Sequence, residues 1–156
     1  MKASEVKRIA SFSVDHDKIL PGIYVSRIDG DVTTYDLRTR RPNGGDYMSD
    51  LVMHSVEHLF ATYIRSSSIG DRVIYFGPMG CQTGFYLLVR DAENDEVLSV
   101  VKTVLREIID GCESMPGATR VECGNYENLS LAEGKAECER ILGILTERHQ
   151  SFAYPT

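Results

Sequence analysis

The chain reads as an α+β fold of two layers, a mainly antiparallel sheet with helices packed on one face. Three observations predict this. Short extended runs follow one another with turn residues between them, the pattern of hairpins rather than of helix-linked parallel strands. Three longer segments carry apolar residues at helical spacing. The order is strands, helix, strands, helix, loop, helix, so strands adjacent in sequence pair and the helices gather against one sheet.

The first stretch, Ser11-Phe12-Ser13-Val14-Asp15-His16-Asp17, is short and polar with one aromatic, so it reads as a loop, whether a binding loop or a plain one. Residues 22–28 alternate like a strand. Asp29-Gly30-Asp31 is a turn signal, and residues 32–38 form a second run rich in β-branched side chains. Arg38, Arg40 and Arg41 follow, and Pro42-Asn43-Gly44-Gly45 closes the run as a loop. These arginines are either a solvated basic cluster or include one that holds an anionic or hydroxyl-rich ligand, a task suited to the planar guanidinium.

Ser49 or Asp50 caps the next segment, where Leu51, Val52, Val56, Leu59, Phe60, Tyr63 and Ile64 recur at helical spacing until Ser66-Ser67-Ser68-Ile69-Gly70. Residues 72–76 read as a buried strand, and residues 85–89 resume as another after the loop Gly77-Pro78-Met79-Gly80-Cys81-Gln82-Thr83-Gly84. A second helix covers about 93–112, with Val97, Val100, Val101, Val104, Leu105, Ile108 and Ile109 inward. A short extended stretch then leads to Cys123-Gly124. The third helix runs from about 131 to 149, capped by Ser130 and Glu133 as a capping box, with Ala132, Ala136, Ile141, Leu142 and Leu145 inward.

Composition narrows the function. At 156 residues the expectation is one domain over 1–156 with a core that needs no staples. A formal charge of −6 argues against non-specific nucleic-acid binding, which needs a basic face. No apolar run is long enough to span a bilayer, and the first residues lack an apolar signal region, so a cytoplasmic protein is expected. Cys81, Cys112, Cys123 and Cys138 accompany no secretory signal, so they are thiols rather than a disulfide framework.

The chemistry concentrates in Met53-His54-Ser55-Val56-Glu57-His58. On a helix, His54 and His58 lie on one face about one turn apart and can hold one metal ion, with Glu57 leaning toward the same side as an acid or base. Cys81, among three glycines and a proline, is either a thiol held rigidly in a pocket or a small buried hydrophobe in a turn. Cys123 is either a third ligand reaching in from a loop or an inert loop cysteine; Cys112 and Cys138 are packing residues.

With His54-x-x-Glu57-His58, Gly77-Pro78-Met79-Gly80-Cys81-Gln82-Thr83-Gly84-Phe85-Tyr86 and Glu122-Cys123-Gly124-Asn125-Tyr126 in this order, the chain resembles the S-ribosylhomocysteine lyase (LuxS) family. The resemblance runs from Ser11-Phe12 through Tyr35-Asp36-Leu37-Arg38 and Pro42-Asn43 to the start of the third helix. It implies a homodimer with its active site near the interface. The metal ligands would be His54, His58 and Cys123, and the metal Fe(II), with zinc or cobalt as substitutes. The implied reaction converts S-ribosylhomocysteine to homocysteine and 4,5-dihydroxy-2,3-pentanedione, the autoinducer-2 precursor, by enediolate isomerisations and β-elimination of the thiol. Cys81 and Glu57 match the family's acid and base, and Ser11, His16 and Arg38 its substrate-binding positions. Two stretches depart from the common pattern: Tyr75-Phe76-Gly77 stands where many members have Asp-Ile-Ser, and Thr39-Arg40-Arg41 where many have Phe-Cys-Gln. A metallopeptidase built on the same helix motif is a rival reading, but it leaves the Cys81 loop unexplained. A closed structural metal site is a second, and it lacks a fourth ligand.

Overall fold

A computed structural model describes residues 1–156. Four strands, β1 (Gly22–Asp29), β2 (Val32–Arg38), β3 (Val73–Pro78) and β4 (Gly84–Arg90), form one sheet in the order β1-β2-β4-β3. Every neighbouring pair is antiparallel. The helices are α1 (Asp50–Arg65), α2 (Asn94–Gly111) and α3 (Leu131–Glu147). The predicted α+β class is the observed one, and no helix is long and apolar enough to cross a membrane.

Strand alternation sorts the sheet into two faces. Tyr35, Leu37, Phe85, Leu87 and Val89 point one way and meet Val56, Leu59, Phe60 and Ile64 of α1 and Val97, Val101, Val104 and Leu105 of α2 in one core. Their cross-strand partners put Tyr35 opposite Leu87 and Leu37 opposite Phe85. The other face carries Asp36 opposite Tyr86 and Arg38 opposite Gly84. It is polar, yet Asp36 and Arg38 are buried there.

Several readings of the sequence need correction. The run at 72–76 is not a buried strand: β3 is the sheet's edge, so Ile74 and Tyr75 face outward and only Val73 and Phe76 reach the core. Ser11 and Phe12, at the start of the stretch read as a loop, belong to a 3-10 turn over Ala10–Phe12. The approach to Cys123 is a turn rather than extended chain, because Glu122 and Cys123 both donate their N–H to the Thr119 carbonyl.

On α3 the inward face is Gly134, Glu137, Cys138, Ile141 and Leu145, while Ala132 and Ala136 are exposed. A buried Glu and a Gly hid this face from a search for apolar residues. Ser130 caps α3 by accepting the Glu133 N–H, but the capping box is not closed. The Ser130 N–H goes instead to Ser55 Oγ on α1 at 2.9 Å. Ser49, not Asp50, caps α1, by accepting the Val52 N–H.

The arginines are not a solvated cluster. Only Arg41 is exposed. Arg40 forms two 2.7 Å bonds to the buried Glu137 carboxylate of α3, and Arg38 is held by Asp36.

Candidate active site

Helix α1 presents His54 and His58 on one face, with ring centroids 4.6 Å apart. Their nitrogens and Cys123 Sγ all lie within 4.8 Å of one another. Each ring is oriented through Nδ1. His54 Nδ1 donates to the Asn128 carbonyl at 2.8 Å and His58 Nδ1 to the Pro116 carbonyl at 2.9 Å. A neutral imidazole that donates from Nδ1 keeps its lone pair on Nε2, the state a metal needs. His54 Nε2 is 3.4 Å from Cys123 Sγ. Tetrahedral nitrogen and sulfur donors, each about 2.0–2.3 Å from a shared ion, stand about 3.5 Å apart. The donor set therefore fits a metal of this coordination type, with one position left for water or substrate.

The 116–128 segment supplies both carbonyls and the thiol, so its path decides the site. Gly117 has φ +64, and a Cβ there would sit 3.2 Å from His58 Nδ1. A side chain would be strained by the backbone and would press on the ring. Glu57 lies half-buried beside the two histidines, and none of the chain's ion pairs uses it.

A second cluster forms around Cys81, whose exposed thiol sits in the β3–β4 turn. Thr83 Oγ1 is 2.9 Å from Cys81 Sγ and also accepts from Arg38 Nη1 at 2.9 Å. Arg38 can only donate, so the hydroxyl hydrogen of Thr83 is free to point at the sulfur. Arg38 Nη1 itself is 3.9 Å from Cys81 Sγ. A hydroxyl and a guanidinium therefore both face the sulfur. Arg38 is fixed in turn by two bonds to Asp36, at 3.1 and 2.6 Å.

Ser11 and Tyr86 line a cavity of about 450 Å³ on the same sheet face. Tyr86 is held above its ordinary pKa by burial first and then by Asp36. His16 lines a different cavity, with Nδ1 2.9 Å from the Val14 carbonyl. The structure thus joins His54, His58 and Cys123 in one group and Cys81 with Arg38 in another, and no hydrogen bond within the chain links the two. Asp36, Thr83 and Tyr86 were missed as members of the second group. Asp36 lies two residues from Arg38 on β2, and this strand spacing was the available signal for it.

Residues 9–151 match the family S-Ribosylhomocysteinase (LuxS). The chain belongs to the S-ribosylhomocysteinase (LuxS) family. Among its relatives is a protein of Borreliella burgdorferi (strain ZS7) named S-ribosylhomocysteine lyase. It is 39% identical over 157 residues, covering 96% of this chain and 100% of the relative. Proteins of the same name from Finegoldia magna and Phocaeicola vulgatus are each 38% identical, covering 96% and 97% of this chain and 99% of each relative.

The stretch Tyr75-Phe76-Gly77 packs on itself. The Tyr75 ring folds back over Gly77, and a Cβ at Gly77 would lie 2.0 Å from the Tyr75 hydroxyl. A serine at 77 and a tyrosine at 75 in this rotamer exclude each other. At the other departure, Arg40 pairs with Glu137 rather than facing a ligand.

Proposed function

We propose that this chain cleaves S-ribosylhomocysteine to homocysteine and 4,5-dihydroxy-2,3-pentanedione, the autoinducer-2 precursor. In this reading it is a carbon-sulfur lyase of one domain over residues 1–156, working as a homodimer in the cytoplasm. The observation that carries the reading is an N,N,S donor set in the same chain as an exposed thiol beside a buried guanidinium. His54, His58 and Cys123 would hold the metal, Fe(II) by family resemblance, though the donor set accepts zinc or cobalt as well. Bound there, the metal would act as a Lewis acid toward the sugar oxygens.

The thioether leaves only from a carbon next to an acidic C–H, so the carbonyl must first move from C1 to C3 of the sugar. Each shift removes a proton from one carbon and returns one to its neighbour. Cys81, beside Arg38 and Thr83, takes and returns protons on one side. Glu57 serves the substrate oxygens and carbon from the other. In the elimination the C4 proton is taken, a C4–C5 double bond forms and the C5–S bond breaks; the resulting enol then takes a proton at C5 and gives up its O–H proton to become the diketone. Homocysteine then leaves with its sulfur reprotonated. Protons and electron pairs move only within the substrate and these side chains, so no oxidant is required. Arg38, Ser11 and His16 bind the substrate, some of them supplied across the dimer. The exposed Val6, Ile9 and Phe12 of the N-terminal segment suit burial against a second copy.

The test is anaerobic turnover of S-ribosylhomocysteine, following free thiol, with metal content measured on the same sample. Thiol release is expected. It should be abolished in Cys81→Ala and stalled in Glu57→Gln at unchanged metal content, while Cys123→Ala loses the metal. Wild-type turnover by Cys81→Ala, or none by metallated wild type, would overturn the reading.

A further inference from the structure

We propose that Tyr154, in the C-terminal tail, is a positioning residue for Cys81 that acts through Asp36 and Arg38. The proposal rests on Cys81 being the acid and base of the lyase reading.

The tail is laid along β1 by regularly spaced contacts. Arg148 donates to the Pro21 carbonyl. Gln150 accepts the Ile23 N–H at 3.0 Å, and Phe152 O accepts the Val25 N–H at 2.8 Å. The Phe152 ring meets Tyr35 edge-on at 6.2 Å. Tyr154 then stacks on Tyr24, with ring centroids 4.9 Å apart and planes 14° from parallel. This places the Tyr154 hydroxyl 2.7 Å from Asp36 Oδ2.

That contact changes what Arg38 offers to the thiol. Asp36 and Arg38 are 1% and 3% exposed, so water screens neither. A carboxylate bound only to Arg38 would cancel most of the guanidinium's field. Asp36 instead divides its acceptor capacity between Arg38 and the phenol, which leaves more positive charge on the Nη1 side that faces Thr83 and Cys81. The phenol is a lasting donor, because burial, then the Asp36 charge, pushes its pKa above the ordinary value. Tyr154 is absent from the partners of Cys81 itself, so its effect travels through the two buried residues.

The charged and titratable groups facing Cys81 are Arg38 from β2 and Tyr86 from β4, with Asp36 and then Tyr154 behind Arg38. The experiment compares wild type with Tyr154→Phe, which keeps the ring stacked on Tyr24 and removes only the hydroxyl. Metal-loaded protein is alkylated with iodoacetamide across pH, and the Cys81 peptide is followed by mass. In Tyr154→Phe the midpoint should rise by roughly half a pH unit, a loss of about threefold in thiolate below it. The kcat for S-ribosylhomocysteine should fall by a similar factor, with thermal stability recorded alongside. An unchanged alkylation profile would make Tyr154 a purely structural tail residue and overturn the proposal, whatever happens to melting. If wild type fails to turn over S-ribosylhomocysteine, the lyase reading falls, and the alkylation midpoint still reports whether the tail tunes the thiol.

Discussion

The Ser55 hydroxyl accepts the Ser130 backbone N–H at 2.9 Å, so the start of α3 is tied to α1 one residue from His54. Both are candidates for holding the 116–128 segment against the histidine face. Ser55 is fully buried, and losing its hydroxyl leaves the Ser130 N–H without its partner. Ser55→Ala should cost about 1–3 kcal/mol in urea unfolding. It should also loosen metal retention less than Cys123→Ala does, measured by dialysis against chelator.

Gly117→Ala tests the same segment from the other end. Its φ of +64 and its 3.2 Å approach to His58 Nδ1 both oppose a side chain. Backbone strain of about 1–2 kcal/mol is expected from the left-handed conformation. Displacing the Pro116 carbonyl from His58 should weaken metal affinity by about 10- to 100-fold, as loss of an orienting partner does. Competition with a chromophoric chelator reads this directly.

The Arg40–Glu137 pair ties the loop after β2 to α3, and both side chains are buried. Glu137→Ala leaves the buried guanidinium only Asp46, 3.5 Å from Nε, and should destabilise by about 3 kcal/mol. The double variant Arg40→Met with Glu137→Leu should recover most of that loss, because it removes both charges. A thermal melt series of the single and double variants checks the coupling.

Cys138 sits beside Glu137 in the core, where burial first and that carboxylate next push its thiol up to about 12. The unfolded chain ionises this thiol near pH 9. The folded pKa is raised, so this contribution to stability is complete below pH 9 and is lost as pH rises toward 12. Cys138→Val should therefore flatten the fall in stability above pH 9 relative to wild type, as seen in denaturant midpoints measured across that range.

The strands β1, β2 and β4, the three helices and the histidine motif were legible because each is a local pattern: alternation, 3.6-residue spacing, or side chains within one helical turn. The residues that complete the site were less legible as their sequence distance grew. Asp36 lies two residues from Arg38, so strand periodicity places it beside its partner, while Thr83 reaches Cys81 across the tight turn at Gln82. The carbonyls of Pro116 and Asn128 are 58 and 74 residues from the histidines they orient. Tyr154 is 118 residues from Asp36.

By itself, the sequence determined the fold class, the placement of His54, Glu57 and His58 on one helix and the hairpin turn that holds Cys81. It also carried Cys123 as one of two open readings. Only the tertiary structure decided that Cys123 meets His54, that Arg38 and Arg40 are buried against opposite partners, and that α3 turns Gly134 and Glu137 inward. The reason is physical. Local hydrogen bonding and apolar periodicity act within a turn or a strand, whereas a buried charge chooses its partner by what the packed layers bring within about 3 Å of it.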